Sequence, residues 1–218
     1  MSFVKAAIAL ILIGLALQVG GAEASSSSTT ETAKEASATF ESLSGGVRTS
    51  VVITVAEAEV TSPEGVERGL HADIEIFQAD TRGGRNDRFI AVGGSVDTVP
   101  DGPAVIEDDL STAALDVTIP VCGAKPLYNG RLKQRPFLEC FEVQITLDWW
   151  STSEIYSDSG TDDYPAGDCT VHVLSSYRLN AASSTGTIMA GGINFASSPS
   201  ARASLGVSNR SVTATCPD

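Results

Sequence analysis

The chain has 218 residues, with 27 acidic and 14 basic side chains and a net charge of −13 at neutral pH. Hydrophobic residues make up 42% of it, which is enough to bury one core of ordinary size. Binding to the phosphates of DNA or RNA requires a basic surface, so this acidity argues against nucleic acid as a partner.

The N-terminal segment has the three parts of a secretory signal peptide. Lys5 provides a positive charge, residues 6–17 are apolar, and Ala22-Glu23-Ala24 places small residues around a cleavage point. The apolar run is shorter than the roughly 20 residues that span a bilayer. We therefore predict a signal peptide at residues 1–24, with a retained N-terminal anchor as the alternative. The other 194 of the 218 residues contain no second apolar run of that length, so we expect an exported chain without a membrane span.

A Ser/Thr-rich segment follows the predicted signal peptide. Residues 25–39 contain no large apolar side chain, a composition typical of flexible linkers or glycosylated stalks. We predict that residues 25–39 are flexible and that residues 40–218 form a single domain.

The clearest periodicity in the chain lies in residues 137–150, FLECFEVQITLDWW. From Phe141 onward apolar and polar residues alternate, and successive side chains of a strand point to opposite faces. This pattern predicts a strand buried on one face only. The buried face would carry Phe141, Val143, Ile145, Leu147 and Trp149, and the other face Glu142, Gln144, Thr146, Asp148 and Trp150.

Seven further segments have the composition of strands and are separated by turns rich in Gly, Pro, Asn and Ser. No segment has the periodicity of an amphipathic helix, and the connections are too short for helical crossovers. We predict an all-β fold, an antiparallel β-sandwich of about eight or nine strands of the immunoglobulin-like or jelly-roll-like type. The seven segments are residues 51–60, 70–79, 88–96, 114–122, 169–179, 187–196 and 204–216.

The four cysteines all lie in the part predicted to be exported, which favours two disulfides. Cys122 ends one predicted strand and Cys140 begins the next, so an antiparallel hairpin would place them opposite each other. A bridge between them would close 19 residues and contribute roughly 3 kcal/mol. We predict the pairs Cys122–Cys140 and Cys169–Cys216; the other two connectivities remain alternatives.

Four aspartates fall in the predicted loop 151–168. Clustered carboxylates on a flexible loop can supply the oxygens that calcium requires, although the spacing does not match an EF-hand. Calcium is the one cofactor that this pattern allows, and solvated surface charge is the alternative. The candidate ligands are Asp158, Asp162, Asp163 and Asp168.

Trp150 is the candidate ligand residue of the polar strand face. A sugar ring stacks its apolar face on an aromatic side chain while nearby carboxylates and amides bind its hydroxyls. The alternative is that the following loop covers Trp150. The candidate ligand-binding set is Trp150, Asp148, Gln144, Tyr156 and Tyr164.

No catalytic residue is predicted. The chain contains neither a G-x-S-x-G motif nor an HExxH motif, and His71 and His172 are both expected to be solvated strand residues. A basic segment with Lys125, Arg131, Lys133 and Arg135 could contact an anionic polymer or an acidic neighbour.

These features favour a secreted or cell-surface binding or structural module over an enzyme. Its partner would be a glycan or another surface protein. The alternative is a carbohydrate-binding module or a glycosidase that uses the face around Trp150.

Overall fold

The computed structural model describes residues 26–44, 46–80, 89–98, 104–124, 138–196 and 199–217. These ranges contain ten strands and no helix, so the predicted all-β class is confirmed. No helix that could cross a membrane occurs in this part of the chain. The strands are β1 (Ser26–Ser44), β2 (Val47–Ser62), β3 (Gly65–Asp80), β4 (Phe89–Thr98), β5 (Ala104–Ile106), β6 (Thr112–Ala124), β7 (Leu138–Ala166), β8 (Cys169–Ala190), β9 (Ile193–Asn194) and β10 (Arg202–Thr215).

All ten strands belong to one antiparallel sheet. β10 pairs with both β1 and β8, so the pairings form a closed circuit through β1, β2, β3, β4, β6, β7, β8 and β10. The predicted two-sheet sandwich is not confirmed. Alternation along a strand shows that one face is buried, but it does not show whether a second sheet or the far side of the same sheet covers that face.

The core lies inside this circuit and is built from inward-facing residues of those strands whose side chains the structure describes. On β7, Val143, Ile145 and Leu147 are fully buried, and Trp149 is only 1% exposed. The predicted facing of this strand is therefore confirmed for these four residues, whereas Phe141 is partly buried at the edge of the core. β1, β2 and β3 contribute the same periodic pattern, with Phe40, Ile53 and Ile74 among the buried residues.

The prediction of a flexible segment at residues 25–39 is wrong for residues 26–39, which lie in β1. β1 is paired along its length with β10 on one side and with β2 on the other. Its inward positions, Ala36 and Ala38, are small residues that fit against the core beside Phe40. Ser and Thr occupy many of the other positions, and Thr is well suited to the pleated surface of a strand.

The predicted loop at residues 151–168 is also wrong, because β7 continues to Ala166. β7 and β8 form a long hairpin whose turn contains Gly167 and Asp168. Two register shifts, between Ser151 and Ser153 and between Glu154 and Tyr156, interrupt the ladder. Irregularities of this type increase the bend and twist of a strand, so the hairpin can curve away from the core.

A disulfide joins Cys169 and Cys216, as predicted, and ties the turn of the β7–β8 hairpin to the end of β10. Cys140 is also disulfide-bonded. The strand register places Cys122 directly opposite Cys140 across β6 and β7. The Cys122–Cys140 pair itself remains a prediction. Residues 1–24 and the basic segment 125–135 lie outside the described ranges, and the predictions for them are not tested.

Candidate binding site

Trp150 lies on the outer face of β7, and its side chain is 41% exposed. Asp148 and Gln144 are exposed on the same face of the strand. The neighbouring strands add small polar residues, because Trp150 is aligned with Thr112 of β6 and with Ser183 of β8. The structure therefore places three of the five predicted ligand residues on one outward face. Asp148 lies two residues from Trp150, whereas Gln144 lies six residues away, about 20 Å along the strand.

The two predicted tyrosines lie farther along the β7–β8 hairpin. Tyr156 is aligned with Leu179 and Tyr164 with Val171, whereas Trp150 is aligned with Ser183. At about 3.3 Å per residue, Tyr156 is roughly 13 Å from Trp150 along the strand and Tyr164 roughly 40 Å. Tyr164 therefore cannot share a binding site with Trp150. Tyr156 instead forms a pair with Tyr177, with ring centroids 6.1 Å apart.

The four predicted calcium ligands are not assembled into one site. Asp158 and Asp162 share one face of β7, Asp163 lies on the opposite face, and Asp168 lies in the turn. Asp158 accepts a hydrogen bond from the Tyr156 hydroxyl at 2.9 Å, and Asp163 contacts Nδ1 of His172. Within the described ranges, no group of three or more Asp, Glu, His or Cys side chains could hold a metal ion.

Polar side chains from six strands meet at one end of the circuit, above the core. Strand register places them in two rows on the inward face. Together they line a space of about 1050 Å³, which we call the rim cavity. The outer row contains Thr32, Glu59, Arg68, Ser159, Ser176 and Asn209, and the inner row contains Lys34, Glu57, Ser157, Arg178 and Val207.

Lys34, in the inner row, contacts two carboxylates. Its Nζ lies 2.5 Å from Asp108 Oδ1 and 3.6 Å from Glu57 Oε2, and it donates to the carbonyl oxygen of Ile106 at 3.2 Å. Burial lowers the pKa of Lys34, but the hydrogen bond to Asp108 and the charges of Glu57 and Asp108 outweigh burial and raise it above its ordinary value. Lys34 is therefore a stable cation rather than an amine that could act as a nucleophile.

The outer row is held by a chain of side-chain contacts. Arg68 Nε lies 2.5 Å from Glu59 Oε2 across the β2–β3 pair. On the other side of the cavity, Thr32 donates to Asn209 Oδ1 at 3.0 Å, and Asn209 Nδ2 donates to Ser176 at 3.3 Å. These contacts fix the orientation of donors and acceptors around the opening before any ligand enters.

The turn between β5 and β6 borders the rim cavity and is anchored by cations from the cavity wall. Leu110 at the tip of this turn is fully buried in the core and has a φ of 58°. Such a backbone conformation costs about 1 kcal/mol or more in a residue with a side chain, and burial of Leu110 offsets that cost. Arg178 Nη2 donates to the carbonyl oxygen of Asp109 at 2.8 Å, and Lys34 binds Asp108.

Sequence analysis did not identify the rim cavity, although individual strands carry a signal for it. On β2 the inward positions Val51, Ile53 and Val55 are apolar, and the next two are Glu57 and Glu59. On β1 they change from Ala36 to Lys34. A change from apolar to charged residues along one face indicates where the core ends. The cavity as a whole depends on the pairing of β1 with β10, and the sequence pattern does not predict this pairing because the two strands are far apart in the chain.

Comparisons with known proteins assign no family. No family model and no curated protein matches the chain. Among solved structures, the chain is similar to an acetoacetate decarboxylase-like enzyme from Sphingomonas wittichii RW1, at 10% sequence identity and a TM-score of 0.29, over 88% of this chain and 93% of that chain. A TM-score this low supports no conclusion about the fold or function of this chain.

Proposed function

We propose that the protein is an exported binding protein that holds a polar ligand in the rim cavity. The observation that carries this proposal is the cavity itself: about 1050 Å³ at the end of the core, with polar groups from six strands already held in place. A concave site on which polar groups converge is a candidate ligand site, and a lining this polar favours a polar ligand. Lys34 and Arg68 are held in ion pairs with carboxylates of the cavity wall. Groups that are paired in this way are better suited to binding a ligand than to transferring a proton.

The export part of this proposal rests on two features. Residues 1–24 have the composition of a signal peptide. The Cys169–Cys216 disulfide is of the kind that persists in an oxidising compartment. Expression with the native N terminus, followed by mass spectrometry of the exported chain, should find cleavage after Ala24; an uncleaved chain held in the membrane would contradict it.

Binding in the rim cavity can be tested by thermal-shift screening of the full exported domain against polar small molecules. We expect one class of compound to raise the melting temperature of the wild type by mass action on the folded state. Asn209→Ala and Thr32→Ala should lose this shift. The control is Ser208→Ala, because Ser208 lies next to Asn209 on the opposite face of β10. If no polar compound shifts the wild type, or if the rim variants respond as the control does, the proposal is wrong.

A second candidate function is glycan binding on the outer face around Trp150. The 41% exposure of Trp150, beside exposed Asp148 on the same face, favours it. Exposed tryptophan is uncommon on surfaces without a binding role. Glycan-array binding should be lost in Trp150→Ala and kept in Tyr164→Ala, a similarly exposed aromatic about 40 Å away along β7. Hydrolysis of bound glycans, abolished by one Asp or Glu substitution, would instead indicate a glycosidase.

A further inference from the structure

We infer that the rim cavity selects an uncharged polyhydroxylated molecule, a sugar or a polyol. This inference rests on the proposed function, because it names the chemical class of the ligand for the same site. It follows from how the charges in the cavity wall are already used and from which polar groups remain available.

The charges of the wall nearly balance one another. Three cationic and three acidic side chains line the cavity, namely Lys34, Arg68, Arg178, Glu57, Glu59 and Asp108. Asp158 borders the cavity, but it lies between Ser157 and Ser159 on the opposite face of β7. Lys34 is engaged with both Glu57 and Asp108, and Arg68 with Glu59. An ionic ligand that bound one of these groups would therefore compete with the internal partner of opposite charge. This competition opposes anions at Lys34 and Arg68 and cations at their carboxylates.

Arg178 is the residue on which an anion could compete. In the described part of the chain it binds no carboxylate, and its Nη2 donates to the carbonyl oxygens of Asp109 at 2.8 Å and Asp108 at 3.5 Å. Its Nε is buried and has no partner. A two-pronged contact to a carboxylate uses either Nε and Nη2 or Nη1 and Nη2, and Nη2 already donates to the β5–β6 turn. Arg178 is thus positioned to hold the β5–β6 turn rather than to capture an anion.

The groups that remain available suit hydroxyls. Ser159 offers a neutral hydroxyl. Thr32, Asn209 and Ser176 bind one another but keep further donor and acceptor sites, and paired carboxylates keep lone pairs for accepting hydrogen bonds. A ligand hydroxyl can donate and accept at once, so it can add contacts without breaking an ion pair. Val207 is the one aliphatic residue in the lining, which disfavours an apolar ligand. The volume exceeds that of a single sugar ring, so the cavity can hold an oligosaccharide end or a ring with water.

The test uses three ligands of the same ring and different charge: glucose, glucuronic acid and glucosamine, with inositol as the polyol. Isothermal titration calorimetry on the full exported domain should give the neutral sugar or inositol at least tenfold tighter binding than either charged sugar. The comparison of glucose with inositol also distinguishes a sugar ligand from a polyol ligand.

Two charge variants should move this preference in opposite directions. Lys34→Gln leaves Glu57 and Asp108 without their cation, so binding should shift toward glucosamine. Glu59→Gln leaves Arg68 without its carboxylate, so binding should shift toward glucuronic acid. Glu59 lies at the opening, so this variant remains informative if Lys34→Gln fails to fold, as judged by circular dichroism. The control is Arg210→Gln, an exposed change on the other face of β10 next to Asn209.

The outcomes separate the ligand class from the proposed function. Tightest binding of a charged sugar to the wild type, or no opposite shifts in the two variants, overturns the neutral class. If none of these four compounds binds but another polar compound does, and Asn209→Ala abolishes that binding, the class is wrong and the proposed function stands. If no polar compound binds, both are wrong.

Discussion

Two adjacent tryptophans show how strand geometry determines whether a side chain is buried or exposed. Trp149 is 1% exposed and donates from Nε1 to the carbonyl oxygen of Ser37 at 3.0 Å. Trp150 is 41% exposed on the other face. The side chains are identical, so their environments differ only because neighbours on a strand face opposite sides. A buried indole needs a partner for its N–H group, and β1 provides one.

The same argument predicts opposite effects for two neighbouring substitutions on β7. Val143 is fully buried and Gln144 is exposed. Val143→Asp should unfold the domain, because it removes apolar burial and places a carboxylate in the core. Gln144→Asp should change the free energy of unfolding by no more than about 0.5 kcal/mol. Urea unfolding of both variants checks this, and greater damage from Gln144→Asp would mean that the strand faces the other way.

Glu35 predicts a pH dependence of stability. It lies on β1 between Ala56 and Gly206, and burial raises the pKa of its carboxyl group above the ordinary value. Burial also raises the pKa of Tyr177, and the charge of Glu35 adds to this effect. Because the carboxylate form is disfavoured in the folded state, the domain loses stability as pH rises from the ordinary glutamate pKa through the raised one.

Glu35→Gln should therefore raise the melting temperature at pH 7, well above the ordinary glutamate pKa, because the folded wild type disfavours the carboxylate and the variant has no ionisable group there. At pH 3 both forms are neutral at this position, and the difference should disappear. Melting curves at the two pH values measure it. The exposed change Glu41→Gln serves as the control, and an equal gain at both pH values would rule out ionisation of Glu35 as the cause.

At the scale of strands, much of the fold could be predicted from the sequence, but the extents of β1 and β7 could not. Residues 141–149 alternate strictly and face as predicted. Residues 26–39 and 151–166 lack large apolar residues in alternation, because much of each segment lies beyond the core. Pairing with neighbouring strands keeps them extended. The rim cavity could not be predicted for the same reason, because its residues are polar and come from six strands.

Gly186 is a strand position where only glycine fits. It is aligned with Leu147, has a φ of +144°, and a Cβ atom there would lie 2.0 Å from the carbonyl oxygen of Thr146. Gly186→Ala should lower the free energy of unfolding by about 3 kcal/mol or more, through backbone strain and this clash. Gly69→Ala is the matched control in β3, since nothing lies within 4 Å. It should be neutral or stabilise the fold by about 0.4–1 kcal/mol. Chemical denaturation measures the free energy of unfolding of both variants, and equal changes in the two would contradict the prediction.

At the scale of the whole molecule, the Cys169–Cys216 disulfide reinforces the circuit of strands. The Cys169–Cys216 bond spans 47 residues of sequence, for which the loop-entropy estimate is about 4 kcal/mol. We expect peptide mapping without reduction to find this pair together with Cys122–Cys140. The double variant Cys169→Ser/Cys216→Ser should have a lower melting temperature. A Cys122–Cys169 or Cys122–Cys216 peptide would contradict the register of β6 and β7.

The pairing of β1 with β10 has a consequence for how the chain can be reconnected. Ser26 is aligned with Thr215, so the two ends of the described sheet are neighbours in space. A circular permutant that links these ends and opens the turn at Pro63–Glu64 should keep the same structure. It would turn the β1–β10 pairing into a local hairpin and make β2–β3 the pairing most distant in sequence, so the mean sequence separation of contacts would change little. Stopped-flow refolding should then have a rate similar to that of the natural order, and a much slower rate would contradict this.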